Sequence, residues 1–144
     1  MNYFQCKIRY EKTQENGSIK KITEPYLVNA LSFTESEARI VEEMKPFISG
    51  EFTVANISRY NVSEIFENES GDKWYRAKVL FITIDERSAK ENKTASYMLV
   101  HASNIDEAKK VLDEGMKGTI ADYTVDKIEE TKIIDIFKFK NLNY

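Results

Sequence analysis

Several short segments of this sequence occur twice, each time 71 residues apart. The matched pairs are Tyr26-Leu27-Val28 with Tyr97-Met98-Leu99, Val54 and Ile57 with Val125 and Ile128, and Ile65-Phe66 with Ile136-Phe137. A constant spacing between similar segments is the signature of one supersecondary unit built more than once. The sequence therefore predicts two units of the same topology, and every other feature has to fit that constraint.

The segments between the matches predict the order β-β-α-β in each unit. Apolar and polar residues alternate over 3–10 and 75–81, which predicts opening strands with one buried face. Second strands are expected at about 21–30 and 94–102. Pro25 lacks an N–H group, so we expect it at a sheet edge or at a bulge.

A helix is expected after each second strand, because apolar residues recur there at helical spacing. Thr34 is predicted to cap the first helix, with Glu37 three residues later completing a capping box. Either Ser103 or Asn104 is predicted to cap the second helix.

The third strands, at about 52–66 and 123–139, share an irregularity. Their apolar residues change parity once, and they do so at corresponding positions. One extra residue in each strand explains this change. We therefore predict β-bulges near Ala55-Asn56 and near Asp126-Lys127.

Together these elements predict an α+β fold made of a tandem β-β-α-β repeat with six strands and two helices. The sheet is expected to be rich in antiparallel pairs, with the helices on one face of each unit. About 70 residues make a marginal core, so we expect residues 1–144 to form one pseudo-twofold domain. Its repeats are 1–67 and 73–144, joined by the polar linker 68–72.

Composition limits the setting in which the protein acts. No apolar run approaches the ~20 residues needed to span a bilayer, so we expect no membrane contact. The N-terminus lacks a charged region followed by an apolar stretch, and the chain has one cysteine; both features favour a reducing, cytoplasmic location. A net charge of −3 is not typical of a nucleic-acid-binding protein by bulk charge.

Four stretches resemble a known family of short proteins with a domain of unknown function, found in gut Bacteroidota and their phages. They are 22–28 (ITEPYLV), 30–35 (ALSFTE), 46–52 (PFISGEF) and 113–119 (DEGMKGT). The resemblance extends over almost the whole chain and implies a bacterial or phage origin. It implies no catalytic residue and no ligand.

Few residues offer catalytic chemistry. His101 is the sole histidine, and we expect it to be a polar strand residue where the first unit has Asn29. Cys6 alternates with Phe4 and Ile8 on the buried face, so it is expected to pack as a small hydrophobic residue. One cysteine and one histidine do not supply a four-ligand zinc site, and no phosphate-binding glycine motif occurs. The sequence therefore predicts a protein that is not an enzyme and uses no cofactor or metal ion.

One surface remains as a candidate ligand site. On the face opposite the core, aromatic and basic residues lie along both opening strands, and such groups stack on bases and pair with phosphates. The candidate ligand-binding residues are Tyr3, Lys7, Arg9, Trp74, Arg76 and Lys78. The alternatives are a solvated sheet face and a face buried against the other unit or a second subunit.

Two functions fit these features. The first is a non-catalytic protein that binds a nucleotide-type anion, either single-stranded nucleic acid or a small nucleotide. The second is a protein-interaction module, such as an inhibitor or an assembly subunit, that binds no small ligand. Open sheet edges and internal symmetry suit strand addition and homo-oligomers, so we also expect self-association.

Overall fold

The computed structural model of the protein describes residues 2–138, which form an α+β fold. Within these residues, eight strands and two helices build two four-stranded sheets. The strands are β1 (Asn2–Thr13), β2 (Ile19–Ala30), β3 (Phe52–Tyr60), β4 (Glu64–Phe66), β5 (Lys73–Ile84), β6 (Glu91–Ala102), β7 (Asp122–Glu130) and β8 (Ile136–Phe137). The helices are α1 (Phe33–Met44) and α2 (Ile105–Gly115), and neither has the length and apolar character needed to cross a bilayer.

The described chain divides into two compact units. Unit 1 holds residues 2–60 and 133–138, and its sheet has the strand order β3-β1-β2-β8. β1 pairs antiparallel with β2 and β3, whereas β8 joins β2 in parallel. The core between this sheet and α1 consists of Phe4, Cys6, Ile8, Tyr26, Val28, Ala30, Ile40 and Met44.

Unit 2 holds residues 61–132, and its sheet has the strand order β4-β6-β5-β7. β5 pairs antiparallel with β6 and β7, and β4 joins β6 in parallel. Helix α2 covers one face, over a core of Tyr75, Ala77, Val79, Met98, Val100, Ala102, Ala108, Leu112 and Met116.

The predicted count of six strands is wrong, because each long third strand breaks in two. β3 ends at Tyr60 and is followed by β4, which pairs with β6 in unit 2. β7 ends at Glu130 and is followed by β8, which pairs with β2 in unit 1. The fourth strand of each sheet therefore comes from the segment that follows the third strand of the other sheet. Residue 139, the predicted end of the last strand, lies outside the described residues.

Both predicted bulges are confirmed. The register of β3 against β1 skips Ala55, and the register of β7 against β5 skips Asp126. The skipped residue restores the parity of each strand, so that Ile57 and Ile128 meet the same core as the apolar residues before the bulge.

The predicted match of Tyr26-Leu27-Val28 with Tyr97-Met98-Leu99 in the second strands is wrong by one residue. Cys6 lies opposite Tyr26 and Ala77 lies opposite Met98, so Tyr26 corresponds to Met98 and not to Tyr97. The connection between β5 and β6 is one residue longer than that between β1 and β2. Because a shift by one residue turns a side chain to the opposite face, Tyr26 lies in the core whereas Tyr97 lies on the other face of its sheet.

The cap predicted for the first helix is wrong, and one of the two predicted for the second is confirmed. Ser32, not Thr34, caps α1, and its hydroxyl accepts the N–H of Glu35 at 3.1 Å. Asn104 caps α2 and accepts the N–H of Glu107 at 2.8 Å. Both Ser32 and Thr34 carry a hydroxyl and are followed three residues later by glutamate, so the pattern alone fits either.

Pro25 lies at a local edge of its sheet, as expected. At this position β1 pairs with one side of β2, whereas β8 pairs with the other side only at Leu27 and Val28. The N–H of Leu27 donates to the carbonyl of Asp135 at 3.0 Å, which turns it away from β1. Backbone N–H directions repeat every two residues along a strand, so the nitrogen of Pro25 also points away from β1. The missing N–H of Pro25 therefore removes no hydrogen bond to β1.

Part of the predicted linker, residues 68–71, packs against the start of α2. The side chains of Asn68 and Ser70 donate to Oε1 of Glu107 at 2.5 and 3.3 Å. A Cβ atom on Gly71 would lie 2.6 Å from the backbone nitrogen of Ala102. Only glycine fits this close approach, which holds the segment beside the sheet of unit 2.

Candidate binding surfaces

The candidate residues of unit 1 lie on β1, on the sheet face opposite α1. Tyr3 is half-buried, while Lys7 and Arg9 are exposed. Nε of Arg9 lies 3.5 Å from the hydroxyl of Thr23 on the neighbouring strand. Unit 1 therefore presents two cations, two positions apart on one strand, to solvent.

Trp74 in unit 2 does not present an open ring. Its side chain is only 6% exposed, and it stacks on His101 with ring centroids 4.3 Å apart and an interplanar angle of 12°. The predicted position of His101 as a polar strand residue is confirmed, with the addition that its ring covers the indole. Stacking of a ligand base on Trp74 would require this pair to separate.

The two cations beside Trp74 also contact their own unit. The guanidinium of Arg76 lies 4.0 Å from the ring centroid of Tyr97, and its Nη2 donates to the carbonyl of Asn61 at 3.0 Å. Nζ of Lys78 lies 3.7 Å from a carboxylate oxygen of Asp126, the bulge residue. These charges are engaged within unit 2, in contrast to the open pair of unit 1.

The faces that carry these residues are not uniformly solvated. Leu27 and Leu99 occupy corresponding positions in the two sheets, opposite Gln5 and Arg76, and both are fully buried. Both leucines lie next to a short parallel strand. An open binding face on either sheet therefore has to lie away from these two positions.

Two groups with nucleophilic or acid–base potential, Cys6 and Tyr10, are held by burial and hydrogen bonding. Cys6 is fully buried in the core of unit 1, and burial, helped by the charge of Glu37, raises the pKa of its thiol to about 12. The hydroxyl of Tyr10 donates to Glu24 at 2.6 Å, and burial together with this bond raises the pKa of Tyr10 to about 12. Across residues 2–138, no three of the histidine, cysteine, aspartate and glutamate side chains are grouped to hold a metal ion.

Unit 1 has an open cleft of about 580 Å³ at the far end of β1. It is lined by Arg9, Tyr10, Glu11, Thr13, Ile19, Lys21, Ile48, Gly50, Glu51, Phe52 and Thr53. Its volume falls within the range of small-molecule sites. The cleft adjoins one of the exposed cations, Arg9, and adds a second, Lys21.

Unit 2 has a groove of about 460 Å³ between helix α2 and strand β7. It is lined by Ile105, Lys109, Leu112, Asp113, Val125, Asp126, Lys127 and Ile128. Ile105 and Val125 remain 40% and 39% exposed. The groove is therefore lined by four apolar and four charged residues, with two charges of each sign.

Sequence reasoning did not identify this groove. Its apolar residues fit the helix and strand periods, which indicate burial and not an open groove. The available signal was the difference between the third strands, since β7 carries four acidic residues and one lysine while β3 carries a single arginine. Charges concentrated on one of two matched strands mark a surface on which the two units differ.

The fold and these surfaces define an α+β protein of two four-stranded sheets, each covered by a helix, with open grooves. The chain belongs to the family described as Domain of unknown function (DUF4494), whose model matches residues 2–139. The resemblance to a family with a domain of unknown function is thereby confirmed. Comparison with curated proteins and with solved structures gives no match.

Proposed function

We propose that this protein is a non-catalytic binding protein of a bacterial or phage cytosol, and that it binds other polypeptides by strand addition. The observation that carries the proposal is the pair of nine-residue edge strands, β3 and β7, each of which pairs on one side only within the described sheets. An unpaired strand edge offers a row of N–H and C=O groups to an incoming strand. Self-association through these edges belongs to the same proposal.

The buried state of the reactive groups supports a role without catalysis. A nucleophilic cysteine needs an accessible thiolate, whereas burial raises the pKa of the Cys6 thiol to about 12. The imidazole of His101 stacks on Trp74, with ring centroids 4.3 Å apart.

The matched architecture supports the further proposal that the chain arose by doubling of one β-β-α-β unit. Both units place a bulge at the same point of the third strand, skipping Ala55 and Asp126. Both also pair their second strand in parallel with a short apolar strand. The single pseudo-twofold domain over 1–144, with repeats 1–67 and 73–144, stays a prediction.

A displayed library of random dodecapeptides tests strand addition without assuming a sequence. Thr131 donates its N–H to the carbonyl of Trp74 in β5 at 2.8 Å, so alternation turns the N–H of Glu130 outward. Arg59 occupies the same register position in β3, opposite Phe4 as Glu130 is opposite Tyr75. The double variant Arg59→Pro/Glu130→Pro therefore removes one outward donor from each edge while sparing the bonds within each sheet.

We expect the wild-type chain to enrich specific peptides. The same peptides should bind the proline variant at least tenfold more weakly than they bind the wild type. The matched control is Arg59→Ala/Glu130→Ala, which removes the same side chains but keeps both N–H groups, and it should bind like the wild type. Enrichment of no peptide, or equal binding to the wild-type and proline chains, would overturn the proposal.

A nucleotide-type anion is the second candidate ligand, and the exposed pair Lys7 and Arg9 favours it. The adjoining cleft has the volume for one nucleotide and contributes Lys21 and the ring of Tyr10. Of the six candidate residues, Lys7 and Arg9 carry this function, with Tyr3 beside them. Trp74, Arg76 and Lys78 are engaged within unit 2.

Binding of labelled single-stranded oligonucleotides and a panel of nucleoside phosphates, at low and high salt, tests this candidate. We expect binding at low salt that weakens with salt and is lost in Lys7→Ser/Arg9→Ser. The control Lys78→Ser should retain it, because Lys78 is paired with Asp126. No affinity at low salt, or equal affinity in all three chains, would exclude it.

A further inference from the structure

We infer that the groove between α2 and β7 binds an extended peptide in which basic and apolar residues alternate. The peptide adds a strand to the outer edge of β7, with its apolar side chains in the groove and its basic side chains on the opposite face. This inference rests on the proposed strand addition and goes further by naming the edge that is used and the chemistry of the partner.

The groove has the geometry that strand addition beside a helix requires. β7 forms one wall and pairs only with β5 in the described sheet, while α2 forms the other wall. Leu112, which is 1% exposed, closes the floor, and Ile105 and Val125 are 40% and 39% exposed above it. A peptide strand on the edge of β7 would place alternate side chains over these three residues.

The charged residues that line the groove balance, with Lys109 and Lys127 against Asp113 and Asp126, so the preference for a basic partner comes from the rest of α2 and β7. Helix α2 and strand β7 together carry eight acidic and three basic side chains. In β7, Asp122 and Glu129 lie on the face away from the helix, opposite Ile82 and Arg76. Lys127 lies on the same face, and its Nζ is 3.2 Å from a carboxylate oxygen of Glu129. Basic peptide residues on that face would lie beside the carboxylates of Asp122 and Glu129 as cross-strand neighbours.

In unit 1, larger side chains occupy the corresponding positions. Phe33, the first residue of α1, packs edge-to-face on Phe4 with centroids 4.9 Å apart. The guanidinium of Arg59 lies 5.5 Å from the ring centroid of Phe33. Unit 2 has the smaller Ile105 at the first helix position and Glu130 at the position of Arg59, so its groove stays open.

The inference is tested with three synthetic, end-capped octapeptides and the full chain. One alternates valine and lysine, one alternates valine and glutamate, and one repeats the valine–lysine sequence with N-methyl groups on alternate residues. Fluorescence anisotropy of labelled peptide gives the affinity, and amide chemical shifts of the labelled protein locate the site. We expect the valine–lysine peptide to bind at least tenfold more tightly than either of the others, with shifts in β7 and α2.

Protein variants then separate the groove of unit 2 from that of unit 1. Glu130→Pro removes the outward donor of β7, and Ile105→Phe fills the groove with the ring that unit 1 already accommodates. Each should weaken the valine–lysine peptide at least tenfold, whereas the controls Glu130→Ala and Arg59→Pro should stay within threefold of the wild type. Amide spectra that keep the wild-type dispersion show that the variants remain folded.

Equal affinity for the valine–lysine and valine–glutamate peptides would overturn the inference, as would equal binding of the N-methylated peptide or no binding at all. Shifts confined to β3, together with loss of binding in Arg59→Pro, would also overturn it. That last result would leave strand addition as the general function intact, so failure of this inference is distinguishable from failure of the proposed function.

Discussion

The same position of the two sheets is filled by Cys6 in unit 1 and by Ala77 in unit 2. Cys6 lies opposite Tyr26, Ala77 lies opposite Met98, and all four residues belong to their cores. Alanine at one of two matched positions indicates that packing, and not thiol chemistry, decides what this position accepts. The sulfur of Cys6 contributes volume to its core, and its proton stays bound because burial opposes the thiolate.

Replacement of Cys6 by alanine should change the pH dependence of stability. Removal of the buried sulfur should cost about 1–2 kcal/mol at pH 7. The folded-state pKa of the thiol is about 12, against 9.0 when unfolded, so the wild-type stability it supports is present below pH 9 and falls as the pH rises towards 12. Urea denaturation of both chains between pH 7 and 10.5 should therefore show that the difference between their free energies of unfolding shrinks above pH 9. A constant difference would contradict the raised pKa.

Trp74 shows where residue-level prediction fails. Strand alternation correctly places Trp74 and Lys7 on the faces opposite their helices. The same alternation does not reveal that Trp74 lies opposite His101 and is covered by it, because the cross-strand neighbour depends on the hairpin register. Lys7, whose neighbour across the hairpin is Pro25, remains as exposed as predicted.

At the scale of elements, the periodic patterns predict the strands and helices well, because each has one buried face. The bulges were predictable because the parity change occurs in both third strands. The helix start was not, since Ser32 and Thr34 both precede a glutamate by three residues. The breaks after β3 and β7 were also not predictable, because the chain keeps apolar residues on both sides of each break.

The cap of α1 can be assigned by two single substitutions. Ser32→Ala removes the acceptor of the Glu35 N–H and should lower the free energy of unfolding by about 1 kcal/mol. Thr34→Ala is the matched control, because Thr34 is an exposed residue inside the first turn, and it should change stability by less than about 0.5 kcal/mol. Both values follow from the midpoints of urea denaturation, provided that the free energy of unfolding depends on urea concentration with the same slope in each variant. A larger loss of stability in Thr34→Ala than in Ser32→Ala would instead assign the cap to Thr34, as the capping-box pattern predicts.

At the scale of the whole molecule, the chain order and the two sheets do not coincide. The segment after β3 completes the sheet of unit 2, and the segment after β7 completes the sheet of unit 1. Phe137 of β8 stacks near Tyr26 in the core of unit 1, with ring centroids 6.0 Å apart. Phe66 of β4 packs on the core of unit 2, where a Cβ atom on Gly115 would lie 2.5 Å from its ring. Each core therefore contains an aromatic ring from the distant half of the sequence.

This exchange predicts which unit loses stability when one of these rings is removed. Phe137→Ala should lower the protection of amides in β1 and β2, while Phe66→Ala should lower the protection of those in β5 and β6, by roughly 2–3 kcal/mol for a half-buried ring. Native-state hydrogen exchange of the full chain measures both sets of amides in one experiment, and each variant serves as the control for the other. If each half of the sequence instead formed its own closed unit, Phe66→Ala would weaken β1 and β2 and Phe137→Ala would weaken β5 and β6. That reversed pattern, or an equal loss in both sheets, would contradict the exchange of the fourth strands.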